Sequence, residues 1–112
     1  MAKVIIPEYL EKEINKKFKG ESVEIFELMY SLEKNPHKGK ILGNAGGIII
    51  KELKYKNFRF YLITDGYKLK VLSVEELSDL LIRFVRMSDK KDQQKTINEI
   101  KNILLKIGAE GF

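Results

Sequence analysis

The 112-residue chain contains no cysteine and no tryptophan, one histidine and two prolines. The absence of cysteine excludes disulfides and thiolate metal sites, and a single histidine, His37, excludes a histidine-based metal cluster. The longest clean apolar run, 46–50, is much too short to span a membrane. The apolar run at the N-terminus is too short for a signal peptide. These absences favour a cytoplasmic protein that uses no metal and no cofactor.

The length and composition suit a single domain over 1–112. Hydrophobic residues make up 44% of the chain, enough for a core, and charged residues make up 33%, as expected of a soluble surface.

The positive charge is concentrated in one part of the chain. The net charge is +5, and residues 34–70 hold nine Lys or Arg against two acids. Residues 1–33 have more acids than bases, and residues 71–112 have equal numbers. A polyanion such as a nucleic acid is a natural partner for a basic surface, and a solvated lysine-rich surface is the alternative interpretation.

The first third of the chain predicts two antiparallel helices. Apolar residues recur at helical spacing over 7–19, and Gly20 ends this helix. A second helix is predicted over 22–34, with Ser22 as its N-cap, and Pro36 stops it. Their apolar stripes are best interpreted as core.

The middle of the chain changes to a strand pattern. Strands are predicted over 48–55 and 58–64, both rich in β-branched and aromatic residues. Residues 38–44 form an edge strand or a loop. Asp65-Gly66 predicts a hairpin turn, after which 68–72 pairs back onto the preceding strand.

Alternation along these strands predicts a sheet with two different faces. Glu52, Lys54 and Lys56 share one face of their strand, and Arg59 and Tyr61 share one face of the next. We therefore expect an apolar face that receives the two helices and a basic, aromatic face that meets solvent.

The last third completes an α+β fold. Residues 73–76 have a capping-box pattern that starts a short helix. Residues 80–87 fit either a helix or a buried strand, and a strand after a short helical turn is favoured. A helix is predicted over 95–107. The expected architecture is an N-terminal helical hairpin packed on a twisted, mainly antiparallel sheet of four to five strands, followed by a C-terminal helix.

The residues that remain available for chemistry are basic and aromatic. His37 has no nucleophile elbow nearby, and the glycines of 39–47 lack the ending of a phosphate-binding loop. Lys and Arg suffice to cleave RNA without metal, because the 2′-hydroxyl is a built-in nucleophile and cations stabilise the phosphorane. An Arg clamps the phosphate, a Lys transfers a proton, and Tyr rings stack on bases. The candidates are Lys51, Lys54, Lys56, Arg59, Tyr55 and Tyr61. Ordinary solvated positions on an open sheet face are the alternative interpretation.

Several local motifs occur in a characteristic order. Leu-Glu-Lys-Asn-Pro at 32–36 precedes Gly-Lys-Ile-Leu at 39–42, and Ile-Lys-Glu-Leu-Lys follows at 50–54. Phe-Arg-Phe-Tyr occupies 58–61, and a Lys-Lys-x-x-Gln-Lys pattern at 90–95 precedes the last helix. This series resembles the RelE/ParE toxin superfamily and extends over roughly residues 22–107.

The resemblance implies a toxin that cuts messenger RNA, often in the ribosomal decoding site, until a small antitoxin wraps around it. Lys54 and Arg59 match the residues that bind and polarise the scissile phosphate. Glu52 is implied to be a general base or to orient those two cations. The basic segment before the final helix matches at three positions: Lys90, Lys91 and Gln94.

The chain departs from the family at its C-terminal end. Members carry a catalytic His or Tyr there, whereas no His or Tyr follows Tyr67 in this sequence. Two alternatives therefore stay open beside the ribonuclease: a gyrase-directed toxin with the same fold, and a module that binds RNA or protein without catalysis.

Overall fold

A computed structural model describes residues 1–73 and 75–112. The elements in chain order are β1 (Lys3–Ile5), α1 (Glu8–Phe18), α2 (Ser22–Tyr30), β2 (Lys40–Ala45), β3 (Ile48–Tyr55), β4 (Phe58–Asp65), α3 (Gly66–Val71), β5 (Leu81–Asp89) and α4 (Gln93–Lys106). The strands form one mixed sheet in the order β1-β5-β4-β3-β2. The predicted α+β fold, with helices before the sheet and one after it, is confirmed.

The two N-terminal helices cover one face of the sheet. Leu10 and Ile14 of α1 and Ile25 and Met29 of α2 are fully buried, as their helical spacing predicted. They belong to a core that also contains Phe60 and other side chains from one face of the strands. Burial of such apolar stripes is the main stabilising force for short helices of this kind.

The second helix begins and ends differently from the prediction. Ser22 is not an N-cap, because a 3₁₀ turn over 19–21 precedes it and its hydroxyl donates to the carbonyl of Lys19 at 2.7 Å. The α-helix ends at Tyr30, and a further 3₁₀ turn, Ser31–Glu33, carries the chain to Lys34.

The central hairpins agree with the sequence prediction. Residues 48–55 form β3 as predicted, and most of the segment 38–44, which was open between strand and loop, belongs to the edge strand β2. Gly46 and Gly47 connect β2 to β3 with φ of 59° and 84°. Positive φ at both central residues is what a tight turn between right-twisted strands requires.

The segment after β4 corrects the predicted hairpin. Residues 68–72 do not pair as a strand, because Asp65 accepts a hydrogen bond from the Lys68 amide at 2.9 Å and caps the short helix α3. Asp-Gly suits both structures, and in the helix Leu69 is buried in the core that contains Phe60. β4 pairs instead with β5, which comes later in the chain.

The capping box before β5 forms as predicted. The amide of Ser73 donates to the Glu76 carboxylate at 3.0 Å, and the Glu76 amide donates to the Ser73 hydroxyl at 3.4 Å. Val74, the second residue of that pattern, lies outside the described residues. A 3₁₀ turn, Glu75–Asp79, follows, and then the favoured strand at 80–87 is confirmed as β5.

The second face of the sheet is also covered, which corrects the predicted solvent-facing side. Ile97, Ile100 and Leu104 of α4 pack against Tyr61, Ile63 and their neighbours in a second core. The helical hairpin already occupies the other face, so the apolar stripe of α4 can be buried only here. None of the helices in the described ranges is both long and apolar enough to cross a lipid bilayer.

Candidate nucleic-acid interface

Lys54 and Arg59 lie opposite each other on neighbouring strands. Lys54 of β3 pairs with Arg59 of β4, and Arg59 pairs in turn with Ser88 of β5. Directly paired residues of antiparallel strands project from the same face of the sheet. The expectation that Lys54 and Arg59 share a face is therefore confirmed, and Lys54 is exposed there.

Arg59 is directed inward rather than toward solvent. Its Nε lies 3.8 Å from the Glu52 carboxylate, and both side chains are only 8% exposed. One terminal nitrogen also donates to the carbonyls of Lys56 and Phe58, at 3.3 and 3.1 Å. The guanidinium is thus held by the chain itself, beneath the surface at which Lys54 emerges.

Gln93, the first residue of α4, completes this buried polar group. Its side-chain amide donates to the Glu52 carboxylate at 2.9 Å. Sequence reasoning did not select Gln93. A signal for it exists, because Gln93 precedes the buried Ile97 by four residues and so lies on the sheet-facing side of α4. Glu52 therefore has a polar partner on each side, which a buried carboxylate requires.

Tyr61 is not a stacking platform for bases. It is fully buried under α4, and its hydroxyl lies 2.7 Å from the Ser88 hydroxyl. Burial raises the pKa of Tyr61, and the hydrogen bond with Ser88 opposes this shift. The prediction that Tyr61 contacts RNA is corrected, because its ring belongs to the second core.

Lys51 is likewise removed from the interface. Strand alternation places it on the side of the helical hairpin, where it is 1% exposed and its ammonium donates to the Pro36 carbonyl at 3.1 Å. Burial lowers the pKa of Lys51. The predicted RNA contact is corrected, because no phosphate can reach this ammonium in the folded chain.

Tyr55 and Lys56 are engaged with the N-terminal helices. The Tyr55 hydroxyl donates to the carboxylates of Glu21 and Glu24, at 3.1 Å each. The Lys56 ammonium forms an ion pair with Glu21 and lies over the Tyr55 ring. The hydrogen bond to Glu21 raises the pKa of Lys56. Tyr55 and Lys56 therefore do not lie on the same face of the sheet as Lys54. The prediction that Lys56 shares a face with Lys54 is corrected.

Lys90 and Lys91 lie in the loop between β5 and α4, next to the β3–β4 turn. The Lys90 amide donates to the Asn57 carbonyl at 2.8 Å, which ties the two connections together. Both lysines are exposed. Gln94, the third predicted residue of this loop, is exposed on α4 and donates to Asn98 at 3.0 Å.

One further exposed lysine, missed by sequence reasoning, belongs to this end of the sheet. Lys40 of β2 pairs with Glu52 and so projects from the same face as Lys54. We call Lys40, Lys54, Lys90 and Lys91 the basic rim. Within residues 1–73 and 75–112, none of these four forms an ion pair with a carboxylate. Four exposed cations at one end of a sheet are suited to holding a phosphate backbone.

The chain matches no protein-family model, no curated protein and no solved structure. The RelE/ParE resemblance therefore stays a prediction from the sequence motifs.

Proposed function

We propose that this chain is the toxin of a toxin–antitoxin pair, a metal-independent endoribonuclease that cleaves messenger RNA at the ribosome and is neutralised by a small antitoxin. One observation carries the proposal: exposed Lys54 lies opposite Arg59, with Glu52 next to the pair and exposed Lys90 and Lys91 beside it. The order of the sequence motifs supports the same assignment.

The basic rim binds the RNA backbone, and Lys54 reaches the scissile phosphate. The 2′-oxygen attacks phosphorus and releases its proton to water, while the 5′-oxygen leaves with a proton from the Lys54 ammonium. The products are a 2′,3′-cyclic phosphate and a 5′-hydroxyl. Arg59 adds a second cation against the phosphorane charge only after its guanidinium leaves the Lys56 and Phe58 carbonyls and turns outward. We assign Glu52 an orienting role, because its carboxylate is already engaged by Gln93 and Arg59.

A second candidate is an RNA-binding module that does not cleave. The inward direction of Arg59 favours it, because a guanidinium held by two carbonyls and Glu52 must turn outward before it can clamp a phosphate. Both candidates use the basic rim, so they differ only in what happens to the bound strand.

Cleavage by the purified chain separates the two candidates. We expect wild type to cut messenger RNA that is bound to purified ribosomes, and Lys54→Ala to lose at least tenfold in rate while it keeps its fold. Lys16→Ala, which removes an exposed lysine from α1, is the matched control and should cut at the wild-type rate. Wild type that binds RNA but leaves ribosome-bound messenger RNA intact would establish the module. Full cleavage by Lys54→Ala would remove Lys54 from the mechanism.

The toxin assignment has its own test in cells. Expression of the chain alone should arrest growth and shorten messenger RNAs, whereas co-expression with the product of the adjoining reading frame should restore both. Arrest with intact messenger RNA would instead favour a different target, such as DNA gyrase.

A further inference from the structure

A cleft opens at the end of the sheet remote from the basic rim. Its volume is about 240 Å³. Its walls come from the start of β3, the end of β4, the start of β5 with the residue before it, and the C-terminal tail: Ile48, Ile63, Leu80, Leu81, Arg83 and Ala109 contribute. The cleft exists because α4 ends at Lys106, so the helix does not cover this part of the sheet face.

Arg83 brings a positive charge into this apolar cleft. It lies opposite Ile63 in the sheet and is half-buried. One terminal nitrogen donates to the Ala109 carbonyl at 3.0 Å. In the described part of the chain, no carboxylate forms an ion pair with it. A guanidinium can bind a carboxylate with two parallel hydrogen bonds, and this one retains donors for such a ligand.

The other charged residues of the cleft lie at its mouth. Asp65, Lys68 and Asp79 are all exposed, and Asp65 is already used to cap α3. Lys68 offsets one of the two acids. The charge that meets the apolar walls is therefore that of Arg83, whereas the mouth is screened by water.

We propose that this cleft binds a small apolar carboxylate, with the carboxylate on Arg83 and the hydrocarbon against Ile48, Ile63 and Leu81. The space equals that of roughly eight water molecules at about 30 Å³ each, which suits a ligand of about eight heavy atoms. An apolar pocket with a small number of polar groups is the usual form of a small-molecule site. This inference is independent of the proposed RNA function, since it uses the opposite end of the sheet.

The competing role for Arg83 is purely structural: it holds the C-terminal tail through Ala109. If Arg83 only holds the tail, ligand binding should not depend on the charge of the ligand. A carboxylate site predicts a strong dependence, so probes of equal shape and different charge distinguish the two roles.

The experiment measures binding of hexanoate, hexanol and hexylammonium to the full chain by NMR titration. We expect hexanoate to bind saturably, at least fivefold more tightly than hexanol, with hexylammonium weakest. Shifted signals should include those of Ile48, Ile63 and Leu81. Equal binding of hexanol, stronger binding of hexylammonium, or no binding of hexanoate would overturn the proposal.

Substitutions of two arginines of β5 test which of them supplies the charge that binds hexanoate. Arg83→Met should abolish the preference for hexanoate, and Arg83→Lys should keep the order of the probes with weaker affinity. Arg86→Met is the matched control, because Arg86 is paired with Glu99 outside the cleft, and it should bind hexanoate as wild type does. A preference that survives in Arg83→Met, or is lost in Arg86→Met, would contradict the assignment. If Arg83→Met does not fold, Arg83→Lys and the wild-type probe order decide.

Discussion

Glu52 and Arg59 form a buried ion pair in which each side chain compensates the charge of the other. Each side chain is 8% exposed, so each charge depends on the other for compensation. Removing one partner leaves a buried charge without its counter-ion, whereas neutralising both avoids that cost. Arg59 therefore has a structural role in addition to any contact with RNA.

We expect Arg59→Ala to lower the free energy of unfolding by about 3 kcal/mol, because Glu52 is left unpaired. The double variant Glu52→Gln/Arg59→Ala should recover at least ~1 kcal/mol of that loss. The exposed control Lys54→Ala should change stability by less than about 0.5 kcal/mol. Urea unfolding monitored by circular dichroism measures these three variants and the single variant Glu52→Gln, which completes the cycle. Additive effects of the Glu52 and Arg59 substitutions would show that the pair contributes no coupling.

Because Lys51 is buried, the free energy of unfolding is expected to change with pH in the alkaline range. Burial lowers its pKa in the folded chain below the ordinary value of 10.5. Below the lowered pKa, the ammonium is charged in both states and the folded state bears the full cost of burying it. Between the lowered and the ordinary pKa, the folded chain has released a proton that the unfolded chain still holds, so stability rises with pH.

Lys51→Met should remove this rise. The stability advantage of Lys51→Met over wild type should therefore be largest near pH 7 and shrink as the pH approaches 10. Unfolding curves collected at intervals over that range measure it. Lys16→Met, at an exposed position of α1, corrects for the loss of one charge. A constant difference between wild type and Lys51→Met would contradict the assignment of a cost to the buried ammonium.

At the scale of elements, sequence patterns correctly predicted the strands and turns that depend only on residues close together in the chain. β3 and its turns agree because alternation and the glycines at 46 and 47 act over a few residues. The strand predicted over 68–72 was wrong because Asp-Gly serves both as a hairpin turn and as a helix cap, and the choice depends on tertiary packing such as the burial of Leu69. The choice between helix and strand at 80–87 stayed open because the strand partners, β1 and β4, are distant in sequence.

Gly66 marks the place where α3 passes the β2–β3 turn. Its amide donates to the Gly47 carbonyl at 2.9 Å, and a Cβ at this position would lie 2.8 Å from the same oxygen. We expect Gly66→Ala to destabilise the chain by about 2 kcal/mol, since backbone must move to admit the methyl group. Gly20→Ala is the matched control, because nothing lies within 4 Å of its added Cβ. Thermal unfolding that gives the two variants equal midpoints would show that this contact is not tight.

At the scale of the whole molecule, the fold redistributes the charge that is clustered in the sequence. Of the basic middle third, Lys51 and Arg59 are buried, and Lys68 lines the cleft at the other end of the sheet. The basic rim combines two lysines of that segment with Lys90 and Lys91, which come from a segment of balanced charge. Net charge along the chain thus predicted a basic surface, and only the sheet register could specify which lysines form it.

The candidate site was likewise predictable only in part. Lys54 and Arg59 share a face because alternation within a hairpin is a local property. The burial of Tyr61 and Lys51 was not predictable, because it depends on which helix covers which face of the sheet.

The affinity of the chain for single-stranded RNA as a function of salt tests the central claim most directly. Each phosphate contact adds about 0.7 to the slope of log affinity against log salt for single strands, so Lys54→Ala/Lys90→Ala/Lys91→Ala should reduce the slope by about 2. The control Lys12→Ala/Lys16→Ala/Lys106→Ala removes the same charge from exposed positions outside the rim and should keep the wild-type slope. Equal slopes for the two triple variants would mean that the bound RNA does not lie on the basic rim.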